Sequence, residues 1–425
     1  MGSSTFSTTP EWVKSYKPKL DYGWRLNGNE VKVLNDNTIT INGYEAETVE
    51  LLIDESLKTK SILSCVHCGI CTSICPSIPA NQNENILMTY KLLHQGKLGL
   101  IDFKDKSIWT CATCGLCIDK CPRGVDIVDF MESLRKIIVK LGVGYSPKSL
   151  QKAMVNLASV GNPFGEAPGK RGLWAKEFDV KPFTKDMELL LFLGCFAGYD
   201  PRVRKTAIAL INILKKSGVS FGILGSEENC CGDNANKVGN TDLFLKLASK
   251  NIKTFTDRGV TTILTISPHC FHTFKNEYPK FDKRIEVIHY TEYLSQLIDE
   301  GRLKFSKELK KVITYHDPCY LCRHNGISNE PRQVINSIPG VIMKEMPDSR
   351  NSSLCCGGGG GRMYFDSDKD QGFSYVRMKQ AEDTGADILA TACPFCLLNF
   401  ENLPSAGDNP KMEIKDIAEL VWEAI

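Results

Sequence analysis

Two short cysteine runs constrain this chain more than any other feature of its sequence. The first run reads CVHCGICTSICP and the second reads CATCGLCIDKCP. Each has the C-x2-C-x2-C-x3-C-P spacing that is typical of ligands for [4Fe–4S] clusters. Their cysteines are Cys65, Cys68, Cys71, Cys75, Cys111, Cys114, Cys117 and Cys121. We therefore expect this part of the chain to fold around two metal clusters.

The spacing also predicts which thiols share a cluster. The first three cysteines of such a run surround one cluster, and the fourth, beside the proline, ligates the other. Two [4Fe–4S] cubanes are expected on two ligand sets: Cys65, Cys68, Cys71 and Cys121; and Cys111, Cys114, Cys117 and Cys75. Gly69 and Gly115 follow the second cysteine of each run, where a backbone without a side chain can turn close to sulfur. Zinc is the alternative, but it usually takes two separated C-x2-C pairs.

The segments around these runs predict a helical module. Apolar residues recur at helical spacing in NENILMTYKLLHQGKLGLIDF and in VDIVDFMESLRKIIVKLG, so a helical two-cluster ferredoxin domain is expected at 61–140. Residues 1–60 form an N-terminal segment in which NEVKVLNDNTITING predicts a hairpin. Residues 141–186 are rich in Gly, Pro and Lys and are interpreted as a connector.

The rest of the chain repeats itself at a shift of 124 to 126 residues, as 319 − 195 = 124 and 396 − 270 = 126 show. Each half carries a cysteine, a CCG triplet about 35 residues later, and a final SPHC or CPFC motif. Strand patterns that end at these cysteines alternate with helical patterns, which predicts α/β domains with parallel sheets and ligands at the strand ends. The expected fold class is therefore α/β plus α. A helical ferredoxin module precedes a duplicated pair of CCG domains at 187–305 and 306–425.

The second half offers more thiols than a cubane needs. Its five cysteines are Cys319, Cys355, Cys356, Cys393 and Cys396. Adjacent cysteines suit a polynuclear cluster, because side chains that diverge can each ligate a different iron. A fifth thiol indicates a bridging thiolate and an opened, non-cubane cluster. A zinc site and a set of unreactive buried cysteines are the alternatives.

The first half lacks one of these thiols. It keeps Cys195, Cys230, Cys231 and Cys270, but Ser267 stands where the second half has Cys393. A neutral hydroxyl is a weaker iron ligand than a thiolate. We expect a fourth cluster of different type here, or a site that is retained only for structure. One half would then perform substrate chemistry while the other relays electrons.

Three other features lie near the second-half cysteines. The run of five glycines that begins with Gly357 and Gly358 could let substrate or amide groups approach a cluster, or it could be a flexible loop. His316 could deliver a proton to a departing thiolate, with a packing role as the alternative. Cys322 is interpreted as a spare thiol. His269, whose counterpart in the second half is Phe395, is expected only to pack.

Composition excludes several classes of function. The net charge of +2 gives no reason to expect nucleic acid as a partner. No apolar run approaches the ~18 residues of a membrane span, and the N-terminus lacks the pattern of a secretory signal. A disulfide framework belongs to small secreted chains. The sequence therefore predicts a cytoplasmic protein, or one that is peripheral to the membrane through a partner.

Over residues 60–425 the chain resembles the catalytic subunit family of heterodisulfide reductase, including its segments YHDPCYLCRHN and SPHCFHTFKNEYP. The resemblance implies non-cubane clusters that bind and cleave a disulfide, with electrons supplied by the ferredoxin clusters. It also implies partners such as a flavoprotein or a membrane cytochrome b. The alternative is a pure electron-transfer subunit that links a flavoprotein to quinone or acyl-CoA reduction, as in benzoyl-CoA reductase complexes.

Overall fold

The computed structural model describes residues 54–56, 58–77, 89–281, 285–364, 371–403 and 412–425, with the backbone of three strands between 24 and 41. These strands are β1 (Trp24–Leu26), β2 (Asn29–Val33) and β3 (Ile39–Ile41). They form an antiparallel sheet in the order β1-β2-β3, in which Val31 pairs with Ile41 and Val33 with Ile39. Strands β2 and β3 thus occupy the segment for which the sequence predicts a hairpin.

Helices make up the region of the two cysteine runs. Its α-helices are Ile70–Ser73, Thr89–Leu98, Leu116–Asp119, Ile127–Leu141 and Lys148–Val160. The longest of them begins after Asp126, whose carboxylate accepts a hydrogen bond from the Asp129 amide, and ends at Gly142 with a φ of 62°. Residues 78–88 lie outside the described residues, and so does the start of the first predicted helix. The helical ferredoxin module that the sequence predicts is confirmed.

Two parallel sheets of four strands make up the duplicated halves. The first contains β4 (Leu189–Phe192), β5 (Phe221–Gly222), β6 (Thr262–Thr265) and β7 (Glu286–His289), in the order β5-β4-β6-β7. The second contains β8 (Val312–Tyr315), β9 (Ile342–Lys344), β10 (Ile388–Thr391) and β11 (Glu413–Asp416), in the order β9-β8-β10-β11. Because the orders correspond strand for strand, the internal repeat of the sequence is a repeat of topology.

Helices connect these strands. Those of the first half are Gly194–Tyr199, Pro201–Lys216, Asp233–Lys237, Thr241–Arg258, Pro268–His272 and Tyr290–Asp299. Those of the second half are Asn329–Ser337, Gln371–Asp383, Pro394–Glu401 and Ile417–Ala424. All four residues of β4 are buried, as expected for a parallel strand that is covered on both faces. No helix in the described part of the chain is long and apolar enough to cross a membrane.

The two halves pack against each other reciprocally. The last helix of the second half, Ile417–Ala424, packs on Pro201–Lys216 of the first half. In the same way, Tyr290–Asp299 of the first half packs on Asn329–Ser337 of the second. Buried side chains of both sheets, such as Leu264 and Leu389, belong to one hydrophobic core. The cysteine loops of the two halves are therefore held in one compact body.

Candidate iron–sulfur sites

Four cysteines of the ferredoxin region line one cavity. Cys65, Cys68 and Cys71 of the first run lie around it together with Cys121 of the second run. This is the set that the sequence assigns to one cubane. Cys68 is exposed, so the cavity lies close to the protein surface. Four thiols around one cavity are a donor set that fits a [4Fe–4S] cluster.

The other four ferredoxin cysteines lie deeper in the protein. Burial raises the pKa of Cys117 well above its usual value, and the neighbouring Cys114, Cys111 and Cys75 raise it further. Cys71 of the first set also raises the pKa of Cys117, so the two sets are neighbours. The predicted second set is thus brought together beside the first. Burial likewise raises the pKa of Cys75 to about 11, so thiolates here require a nearby positive charge such as iron.

The loops that carry these cysteines have the same backbone geometry in both runs. Gly69 and Gly115 have φ angles of 79° and 75°, in the left-handed region that favours glycine. Two residues earlier, His67 and Thr113 also have positive φ, at 54° and 51°. Their amides lie 3.4 Å from the sulfurs of Cys65 and Cys111, to which they donate. The spacing of the run therefore turns the backbone around sulfur, as a cluster loop requires.

The five thiols of the second half form a continuous chain of contacts. Cys355 contacts Cys319 and Cys356, Cys356 contacts Cys396, and Cys396 contacts Cys393. The Sγ atoms of Cys356 and Cys396 are 3.1 Å apart. The Gly357 amide donates to Cys355 Sγ over 3.2 Å. The structure therefore brings all five predicted ligands of this half together.

His316 lies beside this chain of thiols. One of its ring nitrogens lies within 4.8 Å of the sulfurs of Cys356 and Cys396, which are within the same distance of each other. Arg377 donates from Nε to His316 Nδ1 over 3.2 Å, so Nε2 carries the proton of the neutral ring. Burial lowers the pKa of His316. The ring also contacts the Cys356 thiol, to which its N–H can donate. A buried imidazole beside five thiols fits a site that holds a group with acceptor atoms, such as the sulfides of an iron–sulfur cluster.

The thiols of the first half form a shorter chain. Cys230 contacts Cys195 and Cys231, and Cys231 contacts Cys270. Arg171 Nη2 lies 3.3 Å from Cys195 Sγ, while Nη1 forms a buried ion pair with Glu228 at 2.7 Å. The neighbouring Cys230 and burial raise the pKa of Cys195 well above its usual value, and the positive charge of Arg171 offsets only part of this shift. This set has four thiols and a fixed cation.

Ser267 and Cys393 occupy equivalent places. Each is the N-cap of a helix with proline at its first turn and has an extended backbone, with φ and ψ of −101° and 127° for Ser267 and of −154° and 125° for Cys393. Both residues are buried. The structure therefore supports the alignment that pairs the serine with the fifth cysteine, so the two halves differ by a thiol at a matching backbone position.

Each half also supplies a side chain to the site of the other. His269 of the first half contacts Cys393 of the second, and hydrogen-bonds Asp233 at 3.0 Å through Nδ1. Tyr364 of the second half lies near Cys230 and Cys195 and accepts a hydrogen bond from Asn234. The expectation that His269 only packs is therefore incomplete. The two thiol sets are adjacent parts of one interface.

The glycine run fits the chain closely against the second ferredoxin loop. A Cβ at Gly359 would lie 2.3 Å from the Ala112 carbonyl oxygen, and one at Gly360 would lie 2.5 Å from that of Cys111. A Cβ at Gly358 would lie 3.0 Å from Phe395. These glycines therefore permit backbone contact between the ferredoxin module and the second half. This close approach explains the run better than loop flexibility does.

Arginines fix the same contact. Arg135 is fully buried and donates to the carbonyls of Ile108, Cys111, Lys237 and Gly360. Arg323 donates to the Cys114 carbonyl over 2.7 Å, and Arg362 to that of Thr110 over 2.9 Å. At this junction Cys114 of the second ferredoxin set lies in contact with Cys355 of the second half.

Sequence reasoning missed several of these residues. Arg171 lies in the segment interpreted as a connector, and nothing in its local pattern distinguishes it. Arg135 lies in a helix that the sequence predicts, but its partners are up to 225 residues away. Asp233 directly follows the first CCG triplet, and this position is the one feature of the sequence that could point to a role at the site.

Comparisons with known proteins agree with this architecture. The model of the 4Fe–4S dicluster domain matches residues 61–125, and that of the cysteine-rich CCG domain matches 189–275 and 313–401. The EtfAB:quinone oxidoreductase of Syntrophomonas wolfei is 35% identical over 70% of this chain and 44% of its own length. A probable iron–sulfur-binding oxidoreductase of Bacillus subtilis is 36% identical with the same coverage. The chain thus spans less than half the length of these two relatives.

A third relative is covered over most of its length. This relative, a subunit of the dihydromethanophenazine:CoB–CoM heterodisulfide reductase of Methanosarcina barkeri, is 36% identical over 71% of this chain and 74% of its own. The ferredoxin module and the two CCG domains explain this similarity, because both supply the cysteines of iron–sulfur sites. The chain belongs to the heterodisulfide reductase family of iron–sulfur oxidoreductases.

Proposed function

We propose that this chain moves electrons between two [4Fe–4S] cubanes and a non-cubane [4Fe–4S] cluster in its second half, where thiol–disulfide chemistry takes place. The cubane ligands are the two ferredoxin sets. The ligands of the non-cubane cluster are Cys319, Cys355, Cys356, Cys393 and Cys396. A fourth cluster on the four thiols of the first half, near Ser267, belongs to the same proposal.

The observation that carries the proposal is the order of the ligand sets. Cys68 of the first ferredoxin set is exposed. Cys71 of that set neighbours Cys117 of the second set. Cys114 of the second set contacts Cys355 of the second-half set. Contacting ligand sets form a continuous route from the surface to the five-thiol site.

The chemistry at the end of this route needs two electrons and two protons for each disulfide. The S–S bond breaks, each sulfur takes one electron and one proton, and two thiols leave. An iron–sulfur cluster supplies the electrons and a binding place for sulfur. His316, buried beside Cys356, is our candidate for passing a proton to a departing thiolate, although burial lowers its pKa and so disfavours the charged form that would give up the proton.

A second function is favoured by Ser267 and by one relative. If disulfide cleavage needs two complete five-thiol sites, this chain has only one. It would then act as an electron-transfer subunit between a flavoprotein and a quinone or acyl-CoA reductase. The Syntrophomonas wolfei relative is an EtfAB:quinone oxidoreductase, and its name fits such a route.

Partners and location follow from either function. We propose that other subunits of a redox complex, a flavoprotein or a membrane cytochrome b, exchange electrons with the first ferredoxin set. The chain itself would be cytoplasmic and would reach the membrane through such a partner.

The experiment that separates the two functions uses the anaerobically purified, cluster-loaded chain reduced by a viologen dye. An asymmetric disulfide is added, and both dye oxidation and released thiols are measured. We expect two thiols for every two electrons consumed. Dye oxidation by a quinone analogue without any thiol release from the disulfide would support the electron-transfer function and overturn the disulfide chemistry.

A further inference from the structure

The segment of residues 141–186 forms one wall of the four-thiol set of the first half. The Gly161 carbonyl of this segment accepts a hydrogen bond from the Cys230 amide over 2.8 Å. Arg171 of the same segment donates a hydrogen bond from Nη2 to Cys195 Sγ over 3.3 Å. The segment therefore contacts the loops that carry two of the four thiols.

The guanidinium of Arg171 is held in place on several sides. Nη1 forms an ion pair with Glu228 at 2.7 Å, and Nη2 also lies 3.4 Å from the Gly161 carbonyl oxygen. The guanidinium carbon lies over the Tyr199 ring, 5.2 Å from its centroid. Arg171 is 2% exposed, so water competes little for its N–H groups. The planar fork of the guanidinium thus serves a carboxyl group and a sulfur at once.

The hydrogen bond to Cys195 does not depend on a titration of Arg171. A guanidinium stays charged in proteins and has only donors, so Nη2 can bond a sulfur in one direction only. The carboxyl group of Glu228 also accepts from the amides of Leu193 and Gly194, which directly precede this cysteine. The ion pair therefore fixes both the donor and the loop that carries the acceptor.

Arg171 lies outside the internal repeat, since its segment precedes the two halves. Its side chain packs over Gly198, where a Cβ would lie 3.2 Å from Arg171 Cγ. The counterpart of Gly198 in the second half is Cys322, at the shift that also relates Cys195 to Cys319. The arginine and the small residue that makes room for it therefore belong to the first half.

We propose that Arg171 is a positioning residue for the first-half cluster: it donates a charged hydrogen bond to the ligand Cys195 and so raises the reduction potential of that cluster. This inference rests on the proposed function, because the four thiols of the first half must hold a cluster. Hydrogen bonds to cluster sulfurs are one of the ways in which proteins set the potential. A reduced cluster is more negative, and a charge-assisted hydrogen bond to its sulfur strengthens accordingly. The reduced state is therefore stabilised, which suits a relay that must accept an electron.

The test is a redox titration of the anaerobically purified, cluster-loaded chain, followed by electron paramagnetic resonance. The signal of the first-half cluster is identified as the one that Cys231→Ala removes. Arg171→Met removes the donor and should lower the midpoint potential of this cluster, while the ferredoxin potentials keep their wild-type values. Arg171→Lys keeps one charged donor without the fork, so its potential should lie between those of the Met variant and the wild type. An unchanged first-half potential in the Met variant would overturn the inference.

Arg202→Met is the matched control, because it also removes an arginine with ion pairs from the first half. Arg202 pairs with Glu401 and Glu419 and donates to the Ile414 carbonyl. Its first-half potential should equal that of the wild type. An equal shift in this variant would show that the loss of an ion pair is enough, and it would overturn the specific role of Arg171.

If Arg171→Met fails to assemble the first-half cluster, the same substitution combined with Glu228→Gln decides. Removing one partner of a buried ion pair is strongly destabilising, whereas replacing both by neutral residues is tolerated better. A lower first-half potential is again expected, and an unchanged one would overturn the inference. A wild-type chain without a cluster in its first half would overturn the proposed fourth cluster as well, and so the two failures are distinguishable.

Discussion

The sulfurs of Cys356 and Cys396 lie 3.1 Å apart in a buried site, and neither belongs to a disulfide. Two ionised thiols at such a distance repel each other strongly where water is excluded. Burial and the neighbouring Cys356 raise the pKa of Cys396 well above its usual value. A metal cluster removes this conflict, since several irons between the thiols neutralise their charge.

The first prediction concerns metal content. The anaerobically purified chain should contain at least three [4Fe–4S] clusters, because eight ferredoxin cysteines and one five-thiol set are brought together. Iron and acid-labile sulfide analysis measures this directly. A fourth cluster would raise the iron content further and would be assigned to the first half. Zinc in place of iron, or only about eight irons per chain as expected for two cubanes alone, would contradict the prediction.

The second prediction concerns Cys393. Cys393→Ala should abolish disulfide reduction, because it removes one of the five thiols of the second-half site. The spectra of the ferredoxin clusters should persist, because their ligands belong to other loops. Cys322→Ala is the matched control, as Cys322 is a buried cysteine that hydrogen-bonds Asn351 and lies outside the assigned sets. Wild-type disulfide reduction in the Cys393 variant would place the chemistry elsewhere.

The third prediction concerns the glycine run. Gly359→Ala places a Cβ 2.3 Å from the Ala112 carbonyl oxygen, so the backbone must move. Overpacking of this kind costs about 1–3 kcal/mol. We expect a lower free energy of unfolding in anaerobic denaturant titrations, together with an altered signal of the second ferredoxin cluster.

Gly169→Ala is the control for that variant. A Cβ at Gly169 meets no atom within 4 Å, and neither glycine has a positive φ. Its stability should change by no more than about 1 kcal/mol. If the two substitutions lowered the free energy of unfolding equally, contact with the Ala112 carbonyl would not be the cause of the destabilisation.

Cysteine spacing allowed much of this architecture to be predicted. A ferredoxin run is a local pattern that can be read directly from the sequence. The repeat of strand patterns that end at cysteines is by itself enough to predict parallel sheets. The partners of Arg135, Arg171 and His269 could not be predicted in the same way. Their contacts join segments that are far apart in sequence, and a single sequence carries no signal for such pairs. The role of the glycine run could not be predicted for the same reason, because the Ala112 carbonyl that lies against it belongs to the ferredoxin module.

The last prediction concerns the residue that makes the halves unlike. Ser267 and Cys393 both have an extended backbone and are both buried at the start of a helix. Ser267→Cys therefore adds a fifth thiol at a matching place with little added volume. A thiolate binds iron far better than a neutral hydroxyl, so the variant should gain a second non-cubane signature in anaerobic electron paramagnetic resonance. Two non-cubane clusters in the wild type would contradict this prediction and would mean that another ligand replaces the thiolate.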